Sequence, residues 1–505
     1  MRRKLLCVAF IGALAGVAFA DERPVAKGPA EDGTLPALAA VAGQGLMNSH
    51  TYDYLTELND DIGGRVTGTP AAQKAIEWGL AKMKAIGLEN VRAEKWQLRQ
   101  GWQRVSAEGE IVAPVRRKLH LDSMGWVGST PAGGAEGQLL PVSIFDLDDE
   151  LKNTSPWKGK ILFITMKGQP RKDPMLIFAQ LGEALKAAHK AGAIAVLGGQ
   201  AGSRSAGMNL THTGVLGFDT TFDVPVVSIT SEDHGLMQRL LERGENVRVR
   251  INVQNKLTSG PVESANVVGE IRGTQNPEQV LVVGAHLDSW DLAGGATDNG
   301  TGSASVLGAA EAIARSGRKA RRTIRFVLFT GEEQGLLGSF AYYNQHKSEW
   351  ANHVGDLVLD LGQGPVKEFN LGGRDDLVEA FQPFVNSLRS FGDLKADDKV
   401  EFDTDTGPFS LYGLPGINMN QDSPDYKYTH HSAADTVDAV KPEVLAHNAA
   451  LMAVTAFWIA DRPERFASPW PPERTARMLR RQDQYNLLNA FGLWPYKDLG
   501  AEEKK

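Results

Sequence analysis

The sequence predicts an α/β protein: a mostly parallel mixed sheet flanked by helices, with a second α/β unit inserted ahead of it. Three observations predict this. From Ala265 onward, continuous apolar strands alternate with amphipathic helices, the pattern of a parallel sheet covered on both faces. Between residues 125 and 255 runs a separate strand and helix pattern of domain size. A chain of 505 residues, 42% of them hydrophobic, has enough apolar surface for more than one core.

At the N-terminus, Arg2, Arg3 and Lys4 precede an apolar run from Leu5 to Val17, and Ala18-Phe19-Ala20 is a small-x-small cleavage site. Residues 1–20 therefore read as a secretory signal peptide, with export to the periplasm or the outside as the expectation; the run is shorter than the ~20 residues of a spanning helix. Cys7, the single cysteine, leaves with it. The mature chain then has no thiol, so disulfides and thiolate metal sites are excluded. Losing three cations moves the formal charge from −7 to about −10 (−7 minus 3), which disfavours nucleic acid and anionic membranes as partners. No second long apolar segment stands out.

From Leu35 to Leu88 the apolar spacing is helical, as in "AIEWGLAKMKAIGL", with Thr69-Pro70 as a helix start. Trp96 to Leu121 alternates like strand. At Gly125 the composition changes to "GWVGSTPAGGAEGQ", a boundary. Beyond it "GKILFITMKG", "AIAVLGG", "VPVVSIT" and "VRVRINV" read as strands, with helices at "ALKAAHKAGA" and Glu232 to Glu242; "GGQAGSRSAG" reads as a surface loop. The last region alternates "QVLVVGAH", a helix Thr301 to Ser316, "TIRFVLFT", a helix Leu336 to Trp350, "DLVLDLG", a helix Asp375 to Phe391, and "LPGINMN". The expected division is 1–20, 21–124, 125–255 as an insert, 256–465, and a tail 466–505 that reads as a polar, proline-containing appendage.

Chemistry concentrates where these last strands end, the position at which open α/β sheets build sites. "VLVVGA" runs into His286 and Asp288, "TIRFVLFTG" into Glu332 and Glu333, "LVLDLG" carries Asp360, and "YTHHSAADT" carries His430, His431 and Asp435. Carboxylates crowded on one sheet edge are untenable unless cations neutralise them, so the edge is built for metal. Asp298, in a Gly-rich turn before a helix, is able to offer both oxygens and bridge two ions. Asp288 and Asp435 are spaced to accept the free imidazole N–H of His286 and His431. Of the neighbours Glu332 and Glu333, one can bind metal while the other takes a proton from water whose pKa the metal has lowered towards ~7.

The set "HLDSWD", "TDNGTG", "TGEEQGLLGS", "LVLDLG" and "HHSAADT" resembles the M28 family of di-zinc exopeptidases, in particular its carboxypeptidase Q branch, over nearly all of the chain except its last forty or so residues. The resemblance implies the zinc-exopeptidase, phosphorylase/hydrolase-like fold, with residues 125–255 as a protease-associated domain. It also implies two zinc ions, one held by His286, Asp298 and Asp360 and one by Asp298, Glu333 and His431. Glu332 becomes the general base, Asp288 and Asp435 orient ligands, and Asp405 falls where relatives carry another orienting acid. Tyr426 and Tyr428 are candidates for stabilising an oxyanion. A homodimer is a further implication.

His50, His120, His189, His212, His234, His346, His353 and His447 read as surface or locally bonded histidines. Asp291 reads as shaping its loop, and "RSGRKARR" as a solvated helix end. The expected activity is hydrolysis of the N-terminal bond of short peptides or dipeptides. A carboxypeptidase of the same family and a one-zinc glutaminyl cyclase remain alternatives. Against an M20-type peptidase stands the spacing of twelve residues between His286 and Asp298, shorter than that group uses. Against an inactive binding protein stands the complete ligand set with Glu332.

Overall fold

The computed structural model describes residues 34–168, 174–199, 206–497 and 499. The expected signal peptide, its cleavage point near Ala20 and Cys7 lie outside the described residues.

Eight strands form the first sheet: β1 (Glu89–Leu98), β2 (Val262–Ile271), β3 (Asn276–His286), β4 (Arg322–Phe329), β5 (His353–Val358), β6 (Val366–Asn370), β7 (Lys395–Asp397) and β8 (Gly416–Gln421). Their order across the sheet is β1-β2-β4-β3-β5-β8-β6-β7. The four central strands β4, β3, β5 and β8 are parallel; outside them β1-β2, β2-β4 and β8-β6 pair antiparallel, and the edge pair β6-β7 is parallel. This is the expected mixed sheet. Both faces are covered, which explains why the strands read as unbroken apolar runs. In β3, Leu281, Val283 and Ala285 enter the larger core with helices Thr34–Met47, Pro70–Ile86, Thr301–Arg315 and Pro442–Asp461. The alternate residues Val280 and Val282 face Tyr342, Trp350 and Phe409 on the other side. That period of two is what an extended backbone imposes.

Thr69 caps helix Pro70–Ile86 by accepting a hydrogen bond from Ala72 N, with Pro70 at the first turn, as the sequence predicts. Two helices end earlier than read: Leu337–Gln345 gives way to a tight turn at Lys347–Asn352, and Asp375–Ser387 stops before Arg389–Phe391. Apolar spacing continues through such turns because their residues still pack inward, so periodicity alone overruns the helix end. Helix Pro442–Asp461 is a long apolar segment that the sequence reading missed. It lies in the centre of the main core, with Leu451, Met452 and Ala453 fully buried.

The second sheet also has eight strands and takes in Trp102–Ala113, upstream of the Gly125 boundary, and Arg248–Leu257 at its far end. These two strands pair antiparallel from Trp102 opposite Leu257 to Ala113 opposite Arg248, so entry to and exit from the second unit are bonded together. The composition shift at Gly125 marks a loop inside this unit, not its start. The tail is not a detached appendage either. Helix Pro472–Arg481 buries Ala476, Met478 and Leu479 against Leu411, Val400 and Trp470, and Trp494 and Tyr496 join the same cluster.

Candidate metal centre

The register of the sheet brings the candidate residues level. In the parallel pairing of β3 with β5, Gly284 lies opposite Val358, so two residues further on His286 meets Asp360. In β3 with β4, His286 lies opposite Phe329, and Glu332 and Glu333 come three and four residues later in the turn. Asp298 comes from the turn before helix Thr301–Arg315, where its backbone is non-helical (φ −130°, ψ 89°) and Asn299 fixes the turn by donating to Leu359 O at 2.9 Å and accepting from Gly302 N at 2.8 Å.

Asp298 sits between two histidines. Its Oδ1 is 3.2 Å from His286 Nε2, and its Oδ2 is 3.1 Å from His431 Nε2. His286 Nε2 is also 3.0 Å from Asp360 Oδ1, and His431 Nε2 is 3.0 Å from Glu333 Oε2. His430 stacks on His431 at 3.7 Å, but its Nε2 stays 3.9 Å from Asp298 Oδ2. The geometry thus favours His431 over His430. Glu333 Oε1 is buried without a partner, and Asp298 Oδ2 and Asp360 Oδ1 meet an imidazole nitrogen at 3.1 and 3.0 Å but not in hydrogen-bond geometry, a costly state for carboxylate oxygens unless a cation meets them. Two donors ~2.0–2.1 Å from a tetrahedral zinc stand ~3.3 Å apart, close to the separations here. The residues fit zinc.

Electrostatics point the same way. Burial, reinforced by Asp360, Glu333 and Asp405, holds the Glu332 carboxyl well above the usual range; burial with Asp298 and Asp405 nearby pushes Asp360 up to about 8. Burial disfavours charge on His431, but Glu333 and Asp298 outweigh it and raise its pKa to about 10. Glu332 has the most exposed side chain of the four carboxylates, 12% against 6% for Asp298, 5% for Asp360 and 3% for Glu333. It faces a cavity of about 930 Å³ between the two units, which Asp298, Glu333, Asp360 and His431 also line.

The supporting groups differ from expectation. His286 Nδ1 bonds to the main-chain oxygen of Asp288 at 2.9 Å, while the Asp288 carboxylate is 3.7 Å away. That carboxylate is occupied by Thr67 Oγ1 at 2.9 Å and Glu332 N at 3.4 Å, so it steadies the Glu332 turn as well. Asp435 does not orient His431. Its oxygens accept from Thr297 N at 2.6 Å and Asp298 N at 3.2 Å, fixing the Asp298 turn, whereas His431 Nδ1 faces Thr213 O at 3.2 Å. His431 adopts φ +57°, a left-handed backbone conformation. Asp405 is buried behind the cluster, close enough for its charge to raise Glu332 and Asp360. Asp291 is bound by Arg104 at 2.9 Å and shapes its loop. Tyr426 lines the cavity under the influence of Asp298 and Asp360; Tyr428 is not among its lining residues. His50, His120, His234, His346 and His353 are locally bonded, and His212, bonded to His430 O at 2.7 Å, lies at the edge of the centre.

Two residues escaped the sequence reading. Arg65 is fully buried and donates to the carbonyls of Leu287, Gly294 and Gly295, placing a cation beside Asp435, Asp288, Asp298 and Glu333. Burial lowers its pKa to about 10, so it stays charged at neutral pH. Trp290 donates Nε1–H to Glu333 Oε2 at 2.6 Å and packs on Trp102 and Trp126. An arginine in "GGRVTG" and a tryptophan in "HLDSWD" give no local signal of a partner distant in sequence. Trp290→Phe keeps the packing and removes the donor. Zinc affinity is expected to fall by about 10–100-fold, the usual cost of losing a group that orients a ligand. Chelator competition measures this, and an unchanged affinity would mean that Trp290 only packs.

The fold and this cluster define a metal-dependent hydrolase of the zinc-peptidase class. A family model described as peptidase family M28 matches residues 266–456. Carboxypeptidase Q of Mus musculus is 30% identical over 429 residues, 85% of this chain and 89% of the relative, and that of Bos taurus is 31% identical over 425 residues, 83% and 87%. A peptidase M28 precursor from Shewanella amazonensis superposes with a TM-score of 0.76 at 28% identity over 87% of this chain and 99% of its own. A zinc aminopeptidase from Bacillus subtilis shares the fold, with a TM-score of 0.64 at 22% identity over 83% and 97%. The chain belongs to peptidase family M28.

Proposed function

We propose that this protein is a two-zinc exopeptidase that hydrolyses the N-terminal bond of short peptides, dipeptides above all. The observation that carries the reading is Asp298 facing one histidine with each oxygen, each histidine having a further carboxylate of its own. His286, Asp298 and Asp360 would hold one ion and Asp298, Glu333 and His431 the other; zinc there polarises the scissile carbonyl and makes the attacking water more acidic. Glu332, exposed to the cavity, takes the proton of that water and passes it to the departing amine. Tyr426, which lines the cavity, is the candidate to stabilise an oxyanion. A free α-amine held beside this cluster would fix the first peptide bond within reach of the attacking oxygen.

Acetylating the amine of a good dipeptide substrate is accordingly expected to abolish turnover, as measured by amino-acid release. Equal rates for the free and acetylated peptides would replace this reading with a carboxypeptidase. Lys427, which lines the same cavity, is the observation favouring that second reading, since it offers a cation to a C-terminal carboxylate. We further propose export directed by residues 1–20, a homodimer, and a protease-associated character for the second unit, which contributes His212, Leu216 and Phe218 to the cavity wall.

A further inference from the structure

The cavity wall is held from an unexpected direction. Phe218, from the second unit, and Phe402, from the first, both line the cavity that contains Glu332 and Asp360. Phe218 packs over the backbone of Gly335, just after the Glu332-Glu333 turn, where even a methyl group would lie 2.6 Å from its ring, and Asp219 N donates to Gln334 O at 3.1 Å. Phe491 of the C-terminal segment lies tilted against Phe218 with ring centres 4.6 Å apart, and Phe402 packs on the cluster that Met478, Leu479, Leu488 and Trp494 of that segment share with Val400, Leu411 and Trp470. Helix Tyr485–Ala490 also packs against helix Pro174–Ala191 of the second unit, so the tail, anchored on the first unit through Trp470 and Leu411, spans the gap between the two.

We propose that the C-terminal segment Pro472–Tyr496 determines substrate length: it buttresses Phe218 and Phe402 against the reaction centre and closes that side of the gap to a continuing peptide chain. This rests on the exopeptidase reading above. Phe491 is the positioning residue through which it is testable, being only partly buried and outside the reaction centre. An aromatic pair contributes about 0.5–1.5 kcal/mol, so its loss loosens Phe218 without unfolding the chain.

In the zinc-loaded full chain, Phe491→Ala is expected to raise KM for leucyl-alanine about fivefold, the worth of one such pair, with kcat nearly unchanged. The kcat/KM ratio of a hexapeptide to that dipeptide is expected to rise about tenfold. Phe491→Tyr, which keeps the ring, restores both values. Unchanged KM and length ratio in Phe491→Ala, or an equal loss of kcat for both peptides, overturns the proposal while leaving the exopeptidase reading intact. Calorimetric titration of leucyl-alanine into Glu332→Gln, with and without Phe491→Ala, decides the matter apart from turnover: about fivefold weaker binding in the double variant supports the buttress, and equal or absent binding in both overturns it. If no peptide is cleaved by the zinc-loaded wild type, the exopeptidase reading falls and this titration still judges the tail.

Discussion

Glu332→Gln is expected to lower kcat/KM by between about a hundredfold and ten-thousandfold while leaving the zinc content at the wild-type level, because a general base is worth that much and an amide cannot take a proton from water. The two properties separate here for a geometric reason. Glu332 Oε2 lies 3.9 Å from His286 Nε2, further than the 3.0–3.2 Å separations among Asp298, Asp360, Glu333 and the two histidines, and its side chain is the one most open to the cavity. Glutamine also keeps the shape, so packing around the turn persists. Metal analysis after dialysis, alongside steady-state kinetics, reads both properties. A variant that loses zinc together with activity would make Glu332 a ligand, and one that keeps more than about a tenth of the activity would remove it from proton transfer.

Asp298→Asn should act on the other property. Asp298 faces both histidines, so on the two-zinc reading replacing its charged carboxylate by an amide would weaken both ion sites at once. Dialysed protein is expected to retain almost no zinc and no measurable peptidase activity. Glu333→Gln, which touches only the His431 side, is expected to lose about one ion of two. The fold should survive in both, since Asp435 still accepts from the backbone of Thr297 and Arg65 still ties the Gly294 and Gly295 carbonyls. Asp298→Asn protein that holds as much zinc as the wild type would sink the bridging role.

The site was legible to the extent that its chemistry is local. His286, Asp298, Glu332, Glu333, Asp360 and His431 could be named because parallel strands of an α/β sheet all deliver their C-terminal ends, and the loops beyond them, to one edge, and unbroken apolar runs show where each strand stops. Spacing was a poorer guide to the groups that orient them. The short separations in "HLD" and "HSAAD" predict carboxylate partners for both imidazoles, yet His286 is held by a main-chain oxygen and His431 faces a carbonyl of the second unit. Which acceptor an imidazole finds depends on competition from Thr67, Thr297 and the Glu332 amide for the Asp288 and Asp435 carboxylates.

The same division holds for the whole molecule. The sequence by itself pointed to two α/β units and to a sheet edge crowded with carboxylates, because strand periodicity acts over a few residues; the peptidase class came from the resemblance of its motifs to a known family. Only the tertiary structure decided that Arg65 lies among those carboxylates, that Trp290 steadies Glu333, that the second sheet starts at Trp102, and that the tail rests against the wall of the cavity. Each of these is a contact between segments far apart in the chain. Its energy comes from burying or pairing groups whose neighbours exist only once the fold has brought them together.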